Sequence, residues 1–255
     1  MKLHSRVALV TGAGQGIGKA IAVKLAQQGA DIALNVLHDD ERARSVQQII
    51  RDCGRRCEVL QADVSSVDAV RAMVGQALSA FSQLDILINN AGIEHHAGFL
   101  EVQEKDYDRV LEVNLKGPFF LTQAFAAALK KAGRPGKVIN ISSVHEELPF
   151  PNFAPYCASK GGLKMLMRNI AVELGPLGIT VNNVAPGAVR TPINASLLKD
   201  DDKLQQLTAQ IPLGRLGVTA DVAGLVAFLA SSDADYMTGS TTVVDGGLLW
   251  NYTEQ

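Results

Sequence analysis

Short runs of apolar, β-branched residues alternate along this chain with longer stretches in which apolar positions recur at helical spacing. The first unit reads as a strand over Arg6–Thr11, a glycine-rich turn, a helix over Gly16–Gln28 and a second strand over Asp31–Val36. Further strands are expected at Cys57–Gln61, Asp85–Ile88, Lys137–Ile141, Ile179–Val184 and Thr241–Val244, which makes seven. Helices are expected over Ser66–Phe81, over one long region from Glu104 to Lys131, and over Tyr156–Leu174 and Ala220–Leu229. Runs such as Val7-Ala8-Leu9-Val10 and Ile86-Leu87-Ile88 show no polar alternation, so both faces of the sheet must be covered by helices. The pattern predicts an α/β fold: a doubly wound, three-layer sandwich of the Rossmann type around a seven-stranded parallel sheet.

No repeat, low-complexity tract or Pro- or Ser-rich linker divides the 255 residues, so residues 1–255 are expected to form one domain. The segment of about 190–212, between Pro192 and Pro212, is expected to be a loop that covers substrate, with Asp200-Asp201-Asp202-Lys203 opening a short helix. The chain carries 24 basic and 26 acidic side chains, a formal net charge of -2, and no basic block. That balance argues against nucleic acid or an anionic membrane surface as the main partner, because both need clustered cations. The longest apolar stretches, such as Val222 to Ala230, fall far short of the roughly 20 residues of a membrane-spanning helix. The first residues run straight into a strand with no signal-peptide pattern, so a cytoplasmic location is expected. Cys53, Cys57 and Cys157 lack disulfide or zinc spacing and are expected to be free thiols.

Three motifs carry candidate chemistry. Thr11-Gly12-Ala13-Gly14-Gln15-Gly16-Ile17-Gly18 lies between the first strand and its helix, where backbone N–H groups converge on a potential pyrophosphate site. Its spacing is Gly-x-x-x-Gly-x-Gly, unlike the common dinucleotide fingerprint. Asn89-Asn90-Ala91-Gly92 follows the fourth strand at the edge of the sheet where ligands bind, although an Asn-Gly turn also serves plain chain reversal. Tyr156-x-x-x-Lys160 puts a phenol and an ammonium on one face of a helix opened by Pro155. Ser142 and Ser143 follow the fifth strand, and either hydroxyl could reach the same edge.

Together these elements resemble the short-chain dehydrogenase/reductase family over essentially the whole chain. The resemblance implies a catalytic tetrad of Asn114, Ser143, Tyr156 and Lys160; Ser143 is chosen over Ser142 because the family places its serine thirteen residues before the tyrosine. It implies an NAD or NADP cofactor held by Gly12, Gln15, Gly16, Ile17, Gly18, Asn90, Ala91 and Gly92, with Asp63 and Val64 on the adenine side. Tyr156, Lys160, Pro186, Gly187, Val189 and Thr191 would lie on the nicotinamide side. In this reading Tyr156 is the general base, Ser143 holds the substrate oxygen, Lys160 also holds the nicotinamide ribose, and Asn114 positions a water. A free phenol has a pKa of about 10 and is a poor base at neutral pH, so a nearby ammonium and the nicotinamide cation are expected to favour phenolate.

Within the family the chain is most similar to the glucose 1-dehydrogenases and related aldose dehydrogenases. This rests on Ile139-Asn140-Ile141-Ser142-Ser143-Val144-His145-Glu146, Ala91-Gly92-Ile93-Glu94, Ser159-Lys160-Gly161-Gly162 and Thr191-Pro192-Ile193-Asn194-Ala195. It implies a sugar substrate contacted by Glu94, Ser143, His145 and Asn194, although Glu94 and His145 also suit solvated loops and Asn194 a turn. Adjacent His95 and His96 lack a further ligand at helical spacing, so no metal is expected, and Cys157 is expected to pack rather than react. Cofactor choice is open. Val36 and Leu37 stand where an acid would bind the 2′-hydroxyl of NAD, Gln15 stands where a basic residue is common in NADP-preferring relatives, and His38 and Arg42 could approach a 2′-phosphate.

The expected reaction is oxidation of an aldose at its anomeric carbon. Reduction of a 3-oxoacyl group on a carrier protein, or of another small ketone, is the competing enzymatic reading, and a catalytically silent nucleotide-binding regulator is the reading from another class. A homotetramer is expected from the resemblance and from the apolar helices around Leu115–Leu129 and Leu163–Leu174.

Overall fold

The structure, a computed structural model, describes residues 2–192 and 200–251. Seven parallel strands form one sheet in the order β3-β2-β1-β4-β5-β6-β7: β1 Val7–Val10, β2 Asp31–Val36, β3 Cys57–Gln61, β4 Ile86–Asn89, β5 Gly136–Ile141, β6 Ile179–Pro186 and β7 Thr241–Val244. Connections run outward in one direction from β1 and in the other from β4, so β1 and β4 lie side by side at the point where the winding reverses. In such sheets this switch point opens a crevice at the carboxyl ends of the strands.

Helices α1 Gly16–Gln27 and α2 Glu41–Asp52 pack with α8 Thr219–Ala230 on one face. There Ile21, Leu25, Val46, Ile50, Val222 and Val226 meet Ile32, Ile86 and Ile88 in a fully buried layer. Helices α3 Val67–Phe81, α5 Gly117–Ala132 and α6 Ala154–Leu174 cover the other face, where Met73, Leu121, Phe125 and Met167 meet Leu9, Leu87 and Val138. Strands buried on both faces explain the unbroken apolar runs. Helix α7, Asp201–Ala209, opens at Asp200, whose carboxylate accepts from the Lys203 N–H at 3.1 Å.

Two elements depart from the pattern reading. Helix α2 joins those expected: Asp40 caps it by accepting from the N–H groups of Arg42 and Ala43, and only Ala43, Val46 and Ile50 are buried on its inner face. Ala43, Val46, Ile49 and Ile50 recur at helical spacing, so this helix was legible in the sequence. The long region from Glu104 to Lys131 is not one helix. It divides into α4 Glu104–Leu111, a π-helical turn over Glu112–Lys116, and α5. Pro118 has no N–H to donate to the carbonyl four residues back, that of Asn114, so the α-helical ladder fails there. Gly117 lets this turn pack closely on the loop after β3, since a Cβ on it would lie 2.6 Å from the Val64 carbonyl oxygen. Among the described residues no helix is long and apolar enough to cross a membrane, and all three cysteines are free thiols.

Candidate active site

The crevice at the switch point is a cleft of about 730 Å³. Every residue expected to bind cofactor lines it: Gly12, Gln15, Gly16, Ile17 and Gly18 from the first turn, Asp63 and Val64 after β3, Asn90, Ala91 and Gly92 after β4, Tyr156 and Lys160 on α6, and Pro186, Gly187, Val189 and Thr191 after β6. Glu94, Ser143 and His145 also line it. Asn194 lies outside the described residues.

The glycine turn suits close approach of a polyanion. Gly12 and Gly16 hold φ of +62° and +57°, in the left-handed region that favours glycine. The α1 N-terminus has no side-chain cap and no acid in its first turn, whereas α2 and α3 are capped by Asp40 and Ser66. Its first N–H groups and the positive end of its dipole are left for a ligand, which fits a pyrophosphate. Several polar residues brace this turn. Thr11 Oγ1 donates to Ile88 O at 3.2 Å and accepts from the N–H groups of Asn90 and Ala91, at 2.9 and 3.0 Å. Asn90 Nδ2 donates to the carbonyls of Thr11 and Gly12, at 2.8 and 3.2 Å. Asn35 was not singled out by the sequence reading, yet it is buried in β2 and links the Gly12 N–H to the carbonyls of Leu60 and Ala62. A lone amide inside an apolar strand was the available signal.

At the adenine end, burial alone would raise the Asp63 pKa, but hydrogen bonds from Ser65 and the Arg109 guanidinium hold it below the ordinary carboxylate value. Near the second strand, Arg42 Nη1 donates to Gln15 Oε1 at 3.1 Å, while its Nε and Nη2 are held by Asp40 at 2.8 and 2.6 Å.

The four tetrad positions converge. The Tyr156 phenol is hydrogen-bonded to Ser143, and Lys160 Nζ sits 5.5 Å from the phenol ring centroid. Lys160 is 5% exposed and donates to Ile141 O at 2.9 Å. Gly92 lies between two of the four, since a Cβ on it would be in van der Waals contact with Asn114 Oδ1 at 3.4 Å and Lys160 Nζ at 3.8 Å. Two details extend the sequence reading. The Asn114 side chain does not reach into the cleft; it is 1% exposed, accepting from Ile93 N and donating to Ile93 O and Ser159 Oγ. It braces the β4 loop against α6. The phenol is also strongly desolvated. Burial pushes the Tyr156 pKa up to about 12, the Glu94 charge adds to the rise, and only the Ser143 hydrogen bond lowers it. Lys160 keeps two N–H donors beyond its bond to Ile141 O and faces the ring, so its charge and that of a nicotinamide cation would act together to lower the phenol pKa.

Beside the tetrad, the His145 ring stacks on Phe150 at 4.2 Å, and Phe150 stacks on Phe153 at 4.0 Å. His145 Nδ1 lies 3.1 Å from Leu148 O, so that nitrogen carries the proton and Nε2 is an acceptor. Burial lowers the His145 pKa, which keeps the ring neutral at neutral pH. Burial likewise raises the Glu94 pKa, opposed by the nearby His96. Leu148, Pro149, Phe150, Leu207 and Leu248 add an apolar wall. Leu248 thus lines the cleft of its own chain. Among the described residues no cluster of His, Cys, Asp or Glu is arranged to hold a metal ion.

A dinucleotide groove at the switch point of a doubly wound sheet, ending at a buried Tyr–Lys–Ser constellation, defines an oxidoreductase of nicotinamide type. A family model described as enoyl-(acyl carrier protein) reductase matches residues 12–249. The 3β-hydroxysteroid dehydrogenase 1 of Eggerthella lenta is 39% identical over 246 residues, covering 96% of this chain and 94% of that protein. The L-rhamnose 1-dehydrogenase (NAD(P)(+)) of Sphingomonas sp. is 37% identical over 249 residues, covering 98% of each chain. The gluconate 5-dehydrogenase of Burkholderia cenocepacia, solved with NADP and tartrate, superposes with a TM-score of 0.92 at 37% identity, covering 97% of this chain and 96% of that one. The chain belongs to the short-chain dehydrogenase/reductase family. It is an oxidoreductase whose cofactor is NAD or NADP.

Proposed function

We propose that the protein oxidises the anomeric carbon of an aldose to a lactone. The observation that carries this reading is the set of fixed polar groups, Glu94, Ser143 and His145, that line the cleft together with Tyr156. Glu94 and the acceptor nitrogen of His145 suit sugar hydroxyls, and the stack of His145, Phe150 and Phe153 holds the imidazole in place. Ser143 holds the reacting hydroxyl, and Tyr156 removes its proton. Lys160 holds the nicotinamide ribose and supplies positive charge, while Asn114 fixes the loop and helix that carry these groups. When bound, oxidised nicotinamide would supply the hydride acceptor, and its positive charge would lower the phenol pKa.

Among the described residues the cations lining the cleft are Arg109, paired with Asp63, and buried Lys160, which offer an acyl-carrier protein little to grip. The apolar wall formed by Leu148, Leu207 and Leu248 favours, as a second reading, a bulkier apolar secondary alcohol. Turnover tested with aldoses, a hydroxysteroid and a 3-oxoacyl thioester separates these readings; activity confined to the steroid or thioester would reject the aldose reading. His145→Ala is expected to raise KM for the preferred aldose by about 3- to 10-fold, the worth of one hydrogen bond, with kcat less affected. An unchanged KM would remove His145 from the sugar site.

The reading extends to a single domain whose residues 190–212 close over bound sugar, to Asn194 as a sugar contact, to a cytoplasmic location and to a homotetramer. Arg42, poised between Asp40 and Gln15, is assigned to the 2′-phosphate of NADP. Arg42→Ala is expected to weaken NADP binding by about tenfold, as for loss of a charge-assisted hydrogen bond, and to leave NAD binding nearly unchanged. Fluorescence titration with both reduced cofactors measures this, and equal effects on the two would overturn the assignment.

A further inference from the structure

Glu146 ends the short helical turn Val144–Glu146 after β5, and its side chain is 1% exposed. Its Oε2 accepts from Ser142 Oγ and from Asn183 Nδ2. Asn183 is held in turn by Asn140 at 2.9 Å, and Asn140 by Asn89 at 2.8 Å, so a row of amides across β6, β5 and β4 fixes the carboxylate. Its Oε1 is buried with no hydrogen-bond partner among the described residues. Lys164 Nζ approaches that oxygen only to 3.6 Å and is engaged more closely by Glu147, at 2.5 Å. A buried carboxylate with an incomplete set of hydrogen bonds is costly in free energy. Nothing in the tetrad accounts for it.

The neighbouring backbone suggests what it does. Lys160 donates to the Ile141 carbonyl, and the next residue, Ser142, donates its hydroxyl to Glu146. One strand end is thus gripped by the ammonium on one side and the carboxylate on the other. We propose that Glu146 is a positioning residue, whose buried carboxylate is the counter-charge that keeps Lys160 an ammonium ion and thereby sets the alkaline limit of the active site. The inference rests on the reading above that Lys160 acts in its charged form. Burial drags the Lys160 pKa down to about 8, and the Glu146 charge opposes this fall. The other groups placed beside Lys160 are the Tyr156 phenol ring on its own helix and the neutral Asn114 from the π turn; Lys164, one turn further along the helix, pairs with Glu146 and Glu147, and the Glu94 charge acts on the phenol.

The sign follows directly. Without the carboxylate, Lys160 gives up its proton at lower pH, so the variant is impaired at alkaline pH and close to wild type below neutrality. The full chain carrying Glu146→Gln is compared with wild type in two ways: the pH profile of kcat, and the pH dependence of NADPH and NADH dissociation constants measured by fluorescence without substrate. Both alkaline limbs are expected to move down by about one pH unit, as for loss of an opposite charge nearby. Glu146→Asp, which keeps the charge, should recover part of the shift. A loss of rate equal at every pH, or unshifted limbs, would show Glu146 to be merely structural and overturn the proposal. Should Glu146→Gln fail to fold, Lys164→Met serves instead: releasing the carboxylate from its competing cation should move both limbs upward, and an unmoved or lowered limb overturns the proposal. The cofactor-binding arm needs no sugar, so failure of the aldose reading would leave this test legible.

Discussion

Tyr156→Phe should lower turnover by about 10²- to 10⁴-fold, the usual range for loss of a positioned acid–base group. Dissociation constants for NADPH and NADH should stay close to wild type, because the change removes one hydroxyl at the Ser143 end of the ring and spares Lys160, which donates to Ile141 instead. The phenol, pushed up to about 12 before cofactor enters, is protonated over a wider pH range than a free tyrosine. Its basic form therefore grows with pH, so wild-type oxidation should rise on the alkaline side until Lys160 loses its proton, and the variant's residual rate should lack that rise. Steady-state rates over a range of pH, together with fluorescence titration of cofactor, measure both effects. A variant turning over at near wild-type rate would remove Tyr156 from the chemistry.

Gly18→Ala should impair folding and cofactor binding together. A Cβ at this position would lie 2.4 Å from the Gly12 carbonyl oxygen and 2.5 Å from Asn90 Nδ2, distances at which something must move. The nearest atom belongs to the backbone of the glycine turn, and Asn90 is the clamp between that turn and the loop after β4. Overpacking of this kind costs about 1–3 kcal/mol, and the shift it forces lands on the surface that faces the pyrophosphate. Chemical denaturation should show the loss of stability, and cofactor titration of the folded fraction a weakening of at least about tenfold for a similar energy. Wild-type stability with wild-type affinity would mean that the turn tolerates a methyl group and that close packing at Gly18 is not what shapes the groove.

Much of the architecture was legible because its signals are local. Apolar runs without alternation at Val7–Val10 and Ile86–Ile88 can only be strands covered on both faces, and the observed sheet is parallel throughout. Helix α2 was legible too, since Ala43, Val46, Ile49 and Ile50 recur at helical spacing, whereas the break at Asn114 was hidden because its cause, Pro118, sits inside an otherwise regular helical pattern. A proline four residues after an asparagine was the readable sign. Among the site residues, Tyr156 and Lys160 share one helix at i, i+4, so their proximity follows from helix geometry alone. Glu146, Asn35 and Arg109 escaped notice because each draws its importance from partners distant in the chain, such as Asn183, Gly12 and Asp63.

What the amino-acid sequence determined by itself was the alternation of strand and helix, the placing of glycines where backbone and ligand must approach, and the family to which these motifs point. Each depends on near neighbours in the chain, whose spacing dictates the conformations open to them. Tertiary structure alone decided the orientation and charge of the groups that act. It turned the Asn114 amide onto Ile93 and Ser159, drove the Tyr156 phenol up and the Lys160 ammonium down, and set Glu146 beneath them without a full complement of partners. Those properties arise from desolvation and from charges brought together across the sheet, and neither exists until the chain has folded.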